Sequence, residues 1–111
     1  MIGYVFDNDW AARQQEVLMR FLDVSMKAKD ILASSDAEWE RIAPSVGTAD
    51  PAILTLYRDH YRAGIPRRPI EQEEADARTL YGVLAELGGS ALVGSGKELA
   101  PGTFYRARPR S

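Results

Sequence analysis

The stretch YRDHYRAGIPRRP, from Tyr57 to Pro69, is the part of this chain whose residue types most resemble chemistry. It holds the only histidine, His60, between Tyr57 and Tyr61, with Arg58, Arg62, Arg67 and Arg68 around it. A metal ligand on a helix would want a second ligand one turn away, and positions 56 and 64 are Leu and Gly. Asp59 is adjacent in sequence and therefore points about 100° away around a helix. With no other histidine to complete a site, His60 reads as a structural, partly exposed residue. Arg58 and Arg62 share a helix face and could clamp an anion. Yet Asp59, Glu71, Glu73 and Glu74 lie close in sequence, and cations at a helix C-terminus complement its dipole. A salt-bridged surface is the expected outcome.

Two further stretches invite a functional reading. GGSALVGSGKEL is glycine-rich but lacks the phosphate-loop pattern, because Lys97 is followed by Glu98 and not by Ser or Thr. EQEEAD is acidic but lacks the glycine and ligand spacing of a calcium loop. The chain has no cysteine, which excludes disulfides, thiolate nucleophiles and Cys-based zinc sites. No Ser-His-Asp or paired-carboxylate arrangement stands out. The expectation is a non-enzyme with no catalytic residue, no metal and no cofactor, and with ligand-binding residues undetermined.

The elements that must carry these residues are mostly helical. IGYVF, from Ile2 to Phe6, is a short apolar run that predicts one N-terminal strand, for which the chain offers no partner strand. Asp7, Asn8 and Asp9 supply N-cap candidates for a helix from Trp10 to about Ala33. Its apolar stripe is Val17, Phe21, Val24, Ala28 and Ile31, widened by Leu18, Leu22 and Leu32. Ser35 and Glu38 fit a capping box opening a short helix with Trp39, Ile42 and Val46 inward, limited by Pro44 and Gly47. Asp50 and Pro51 then start a helix to Ala63, capped by Gly64, with Ile53, Leu54, Tyr57 and Tyr61 as its expected buried face. A fourth helix is predicted from about Pro69, with an acidic first turn and an Ala77, Leu80, Leu84, Leu87 stripe, ending at Gly88–Gly89. The fold class expected is mainly α, four helices plus the strand, followed by an irregular tail.

Composition bounds the remaining options. At 111 residues, 45% hydrophobic and 27% charged, the chain sits among ordinary globular proteins of one modest core. A net charge of −2 offers no global attraction to nucleic acid or anionic membrane. No apolar run approaches the roughly 20 residues that span a bilayer. MIGYVFDNDW lacks the basic start and long apolar run of an export signal, so a cytoplasmic location is expected for the chain as written.

The stretches GYVFDNDWAARQQEVLMRFLDVSMKAKDILASSDAEWERIAP, LYRDHYRAGIPRRP, EEADARTLYGVLAELGG and LVGSGKELAPGTFY occur in an order that covers nearly the whole chain. Together they resemble the C-terminal region of substrate-binding proteins of ABC transporters of the nitrate/sulfonate/taurine group. The resemblance implies that residues 1–106 are the C-terminal helical segment of an α/β type 2 periplasmic-binding-protein fold, with 107–111 a basic tail. It implies a periplasmic parent that captures a small solute by lobe closure and delivers it to a membrane permease. IGYVF would be a strand in or beside the crossover between the two lobes. No ligand residue carries over by position. The alternative is a free-standing α-helical module for protein interaction or dimerisation. Either reading leads to an expectation of self-association through exposed apolar faces, with Tyr4, Val5 and Phe6 as an unpaired strand edge and the Trp10–Leu32 stripe beside it.

Overall fold

The computed structural model describes residues 3–106, and every regular element within them is an α-helix. In chain order these are α1 (Asn8–Arg13), α2 (Gln15–Ser34), α3 (Asp36–Val46), α4 (Pro51–Ala63) and α5 (Ile70–Val93). The chain separates into two compact units, Met1–Ile65 and Pro66–Ser111. The basic tail at 107–111 lies outside the described residues.

The helix starts are set by side chains placed to satisfy orphan backbone donors. Asp7 Oδ1 accepts from Trp10 N–H at 2.8 Å, and Asp50 Oδ1 accepts from Ala52 N–H at 2.9 Å ahead of Pro51. Ser35 Oγ accepts from Glu38 N–H at 3.3 Å. Gly47 closes α3 in the left-handed region at φ 88, a conformation that costs a residue without Cβ nothing. α3 runs through Pro44 to Val46 before that cap. The single helix expected from Trp10 to Ala33 is divided at Gln14, whose φ −119 and ψ 36 separate α1 from α2.

The N-terminal strand is not formed. Gly3 to Phe6 have no ladder partner among the described residues, and backbone groups without a partner strand gain nothing from β pairing. Ile2 lies outside the described residues. Tyr4 instead turns onto α2. Its hydroxyl lies 2.5 Å from Ser25 Oγ, and its ring meets Phe21 edge-on at 4.9 Å between centroids. Lys29 Nζ stands 5.4 Å from the same ring, a cation–π contact. Val5 is 98% exposed, so the segment presents no paired apolar edge.

Inside the first unit, α2 packs on α1, α3 and α4, and α3 packs on α4. Among the described residues the buried hydrophobic side chains are Ala11, Leu18 and Trp39. On α2, Leu18 is buried and Leu22 and Leu32 are half-buried, while the main predicted stripe of Val17, Phe21, Val24, Ala28 and Ile31 faces outward. The helix therefore has two apolar faces and uses the secondary one for its core. A related inversion occurs on α4. Ile53 and Tyr57 are exposed, Tyr61 sits at the edge of exposure, and the side turned inward is Leu54, Arg58 and Arg62. The arginines go inward because a carboxylate and a carbonyl wait for them, as described below.

In the second unit, α5 continues past Gly88–Gly89, where a stop was expected. Gly89 adopts φ 56 and ψ −154, a region open only to glycine, so the helix kinks there and runs on to Val93. A Cβ on Gly88 would fall 2.6 Å from Leu92 Cδ2, so the kink also depends on that bare position. The inward line of α5 is Glu73, Ala77, Tyr81 and Ala85, whereas Leu80, Leu84 and Leu87 are exposed. The segment after α5 is tied back by polar contacts. Tyr81 Oη donates to Val93 O at 3.0 Å and Gly96 O at 3.1 Å, and Arg78 Nη1 donates to Leu99 O at 3.1 Å.

Candidate functional site

The structure resolves the basic stretch into two separate salt-bridged clusters. In the first, Arg62 Nη2 lies 2.8 Å from Asp36 Oδ1 and Arg58 Nη1 lies 3.4 Å from the same oxygen. Asp36 occupies the first turn of α3, where a carboxylate also complements the helix dipole. Arg58 is paired besides with Asp59, its Nε 3.1 Å from Oδ1. Arg62 Nε donates to Leu32 O at 2.9 Å, and Trp39 Nε1 donates to the same carbonyl at 2.8 Å. This carbonyl belongs to the last turn of α2, which leaves it without an intrahelical donor. Arg62 and Trp39 together thus cap α2 from two other helices. Arg62 Nη2 makes no aligned hydrogen bond, so its contact with Asp36 is charge pairing.

The sequence offered no direct sign of Asp36 as the partner, because the residues it joins stand more than twenty positions away on a different helix. The expectation for the substitution Asp36→Asn follows from the exposures. The two guanidinium groups are about a fifth exposed and Asp36 is 64% exposed, so solvent screens part of the attraction. The loss should be about 1 kcal/mol at low salt and smaller at high salt. Urea melts at two ionic strengths measure it, and a loss that does not depend on salt would mean the carboxylate acts through packing.

The second cluster is built on Arg68, while Arg67 is exposed and belongs to neither cluster. Arg68 Nη1 pairs with Asp76 and, at 3.6 Å, with Glu73. The hydrogen bond to Asp76, then its charge, hold the Arg68 guanidinium above its ordinary range. Glu74 receives Arg78 at 2.8 Å and also Arg106. The acidic group EQEEAD is therefore the counter-charge to three arginines. No group of carboxylates and histidine among the described residues could hold a metal ion. His60 is exposed on α4 and its carbonyl accepts from Gly64 N–H at 3.2 Å in the helix cap. The glycine-rich stretch begins inside the last turns of α5, and its carbonyls at Val93 and Gly96 are engaged by Tyr81.

Large apolar side chains are also exposed. Val17, Phe21, Val24 and Ile31 stand outward on α2, and beside them opens a hollow of about 200 Å³ between Tyr4, Phe21, Val24, Ala28 and Lys29. On α5, Leu80, Val83, Leu84 and Leu87 are likewise exposed. No helix among the described residues is long and apolar enough to cross a membrane. Such faces suit packing against another protein surface. Among models of known protein families and among curated proteins, nothing matches this sequence.

Proposed function

We propose that this chain is the C-terminal helical part of an ABC-transporter solute-binding protein of the nitrate/sulfonate/taurine type. The intact parent captures a small solute between two lobes and presents it to a membrane permease, and this chain braces the lobes from outside. The observation that carries the reading is the mismatch between order and burial. Side chains cap the starts of α1, α3 and α4, yet only Ala11, Leu18 and Trp39 are buried among the described residues, and long apolar stripes on α2 and α5 face outward. A helical array with good caps and a small core is what a part of a larger body presents when seen alone. The succession of segments in the sequence supplies the kind of body.

A second reading, a free-standing helical interaction module, is favoured by Tyr4. The segment expected to cross between lobes is held instead on α2 of its own unit through Ser25, Phe21 and Lys29. One experiment separates the two. The chain is joined to the region encoded upstream of it, and nitrate, taurine and short alkanesulfonates are tested for a thermal shift. The transport reading expects a rise with at least one ligand, worth about 2.7 kcal/mol at a hundredfold excess over Kd. It also expects His60→Ala to leave that rise unchanged. Absence of any shift across the panel, with α2 amide exchange no slower than in the isolated chain, would sink it in favour of the module.

A further inference from the structure

We propose that residues 94–106 are a clasp on α5, closed in this structure, which Tyr81 pins at its root while the Arg106 end opens and closes with ionic strength. This device does not rest on the transport reading, because it uses only contacts inside the second unit.

Three polar rungs join the segment to α5, and they are nested. Tyr81 Oη lies 3.0 Å from Val93 O and 3.1 Å from Gly96 O, across 12 and 15 residues of chain. Arg78 Nη1 donates to Leu99 O at 3.1 Å, across 21 residues. Arg106 pairs with Glu74 across 32 residues. Going back along the helix from Tyr81 to Arg78 to Glu74, the partner moves forward along the segment. It therefore runs antiparallel to α5, as the second arm of a hairpin does. Steps of three and four residues keep the three anchors on one face of the helix.

Burial follows the same line. Glu74, Ala77 and Tyr81 are half-buried on α5, whereas Leu80 and Leu84 are exposed. Among the described residues α5 is the only helix of its unit, so within that unit the segment is what covers this face. In the segment itself Leu99, Phe104 and Tyr105 are half-buried, while Lys97 and Glu98 stay exposed. The root is shaped for the contact. Gly94 takes φ 76 and ψ −153, a conformation open only to glycine, and turns the chain back directly after α5. A Cβ on Gly96 would stand 3.2 Å from Tyr81 Oη, so its absence lets the hydroxyl reach both carbonyls.

Nesting sets the order of closing. The Tyr81 rung closes the shortest loop, and once formed it shortens the loop left to each outer rung. Loop-closure entropy therefore favours growth from Tyr81 outward, and opening runs in reverse. The outermost rung is also the most easily screened, since the Arg106 side chain is 43% exposed. Every residue from 94 to 106 is half-buried or exposed, so releasing the clasp costs less than melting α5. Glu74 holds both Arg78 and Arg106, which makes it the point where salt acts. What opening uncovers is the Glu74, Ala77 and Tyr81 face.

Nitrogen-15 relaxation on the whole chain reads the clasp residue by residue. At about 0.05 M salt the order parameters of 94–106 should stand near the value of about 0.85 for rigid backbone. Tyr81→Phe keeps the ring and removes only the hydroxyl, and it should bring the whole segment below about 0.6 with α5 still helical. Arg106→Ala, or about 1 M salt on the unaltered chain, should loosen 100–106 alone and leave 94–99 rigid. Should Tyr81→Phe unfold α5, Gly96→Val displaces the same hydroxyl from the segment side and should free 94–106 in the same way. A segment already below about 0.6 in the unaltered chain at low salt overturns the proposal. So does one that stays rigid in Tyr81→Phe, or in Gly96→Val where that variant is needed. Equal loosening of 94–99 and 100–106 in Arg106→Ala, or no response of 100–106 to salt, overturns the opening from the Arg106 end.

Discussion

Trp39→Ala should unfold the first unit. Trp39 is one of its few buried side chains, its ring packs edge-on against Tyr61 at 5.3 Å, and its Nε1 caps the Leu32 carbonyl at 2.8 Å. Removing a buried aromatic side chain costs about 3–5 kcal/mol. A core of this size rarely supplies more than about 3–5 kcal/mol in total. The substitution therefore removes most or all of the unit's stability, and the far-UV circular dichroism of α1 to α4 should fall at room temperature. Trp39→Phe separates the two contributions. The ring is kept, and Leu32 O still accepts from Arg62 Nε, so the loss should be about 1 kcal/mol. If Trp39→Ala melts within about 1 kcal/mol of the unaltered chain, the packing of α3 on α2 and α4 is not what holds the unit together.

The second large effect distinguishes the two apolar faces of α2. Leu18 is 3% exposed, and Leu18→Ala should cost about 2–5 kcal/mol through lost burial and the cavity left behind. Val24, six residues further on, is 65% exposed. Val24→Ala should change the stability of the monomer by no more than about 0.5 kcal/mol, and in the favourable direction, since Ala is the better helix former. Urea denaturation at low protein concentration keeps association out of the comparison. Equal losses at the two positions would show that the outward stripe is packed in solution, and would change the assignment of the inner face.

The caps at Asp7, Ser35, Asp50 and Gly47 were legible because capping is local chemistry. A side-chain oxygen reaches a donor two or three residues away, or a glycine takes a left-handed φ, and no distant contact is needed. Reading the arginine-rich end of α4 as a salt-bridged surface rests on the same locality for Asp59 and for the acidic start of α5. The single carboxylate that draws Arg58 and Arg62 inward was not legible. Asp36 is remote in sequence, and only the crossing of α3 and α4 brings it there.

The strand and the burial assignments show where local information ends. IGYVF has the composition of a strand, but a strand exists only as one side of a ladder, and in its absence Tyr4 gains more from Ser25 and Phe21. Likewise Gly88–Gly89 announces a change of direction without saying whether the helix stops or bends, and Leu92 against Gly88 accompanies the bend. By itself the sequence determined that the described chain is mainly helical and which residues, Asp7, Ser35 and Asp50, cap the starts of three of its helices. Only the tertiary structure decided which of two apolar lines on α2 becomes core, that α4 turns arginines inward, and that the richer stripe stays outside. The physical reason is that periodicity identifies an apolar face, whereas burial is a property of the pair of surfaces that meet, and the second surface lies elsewhere in the chain or on another molecule.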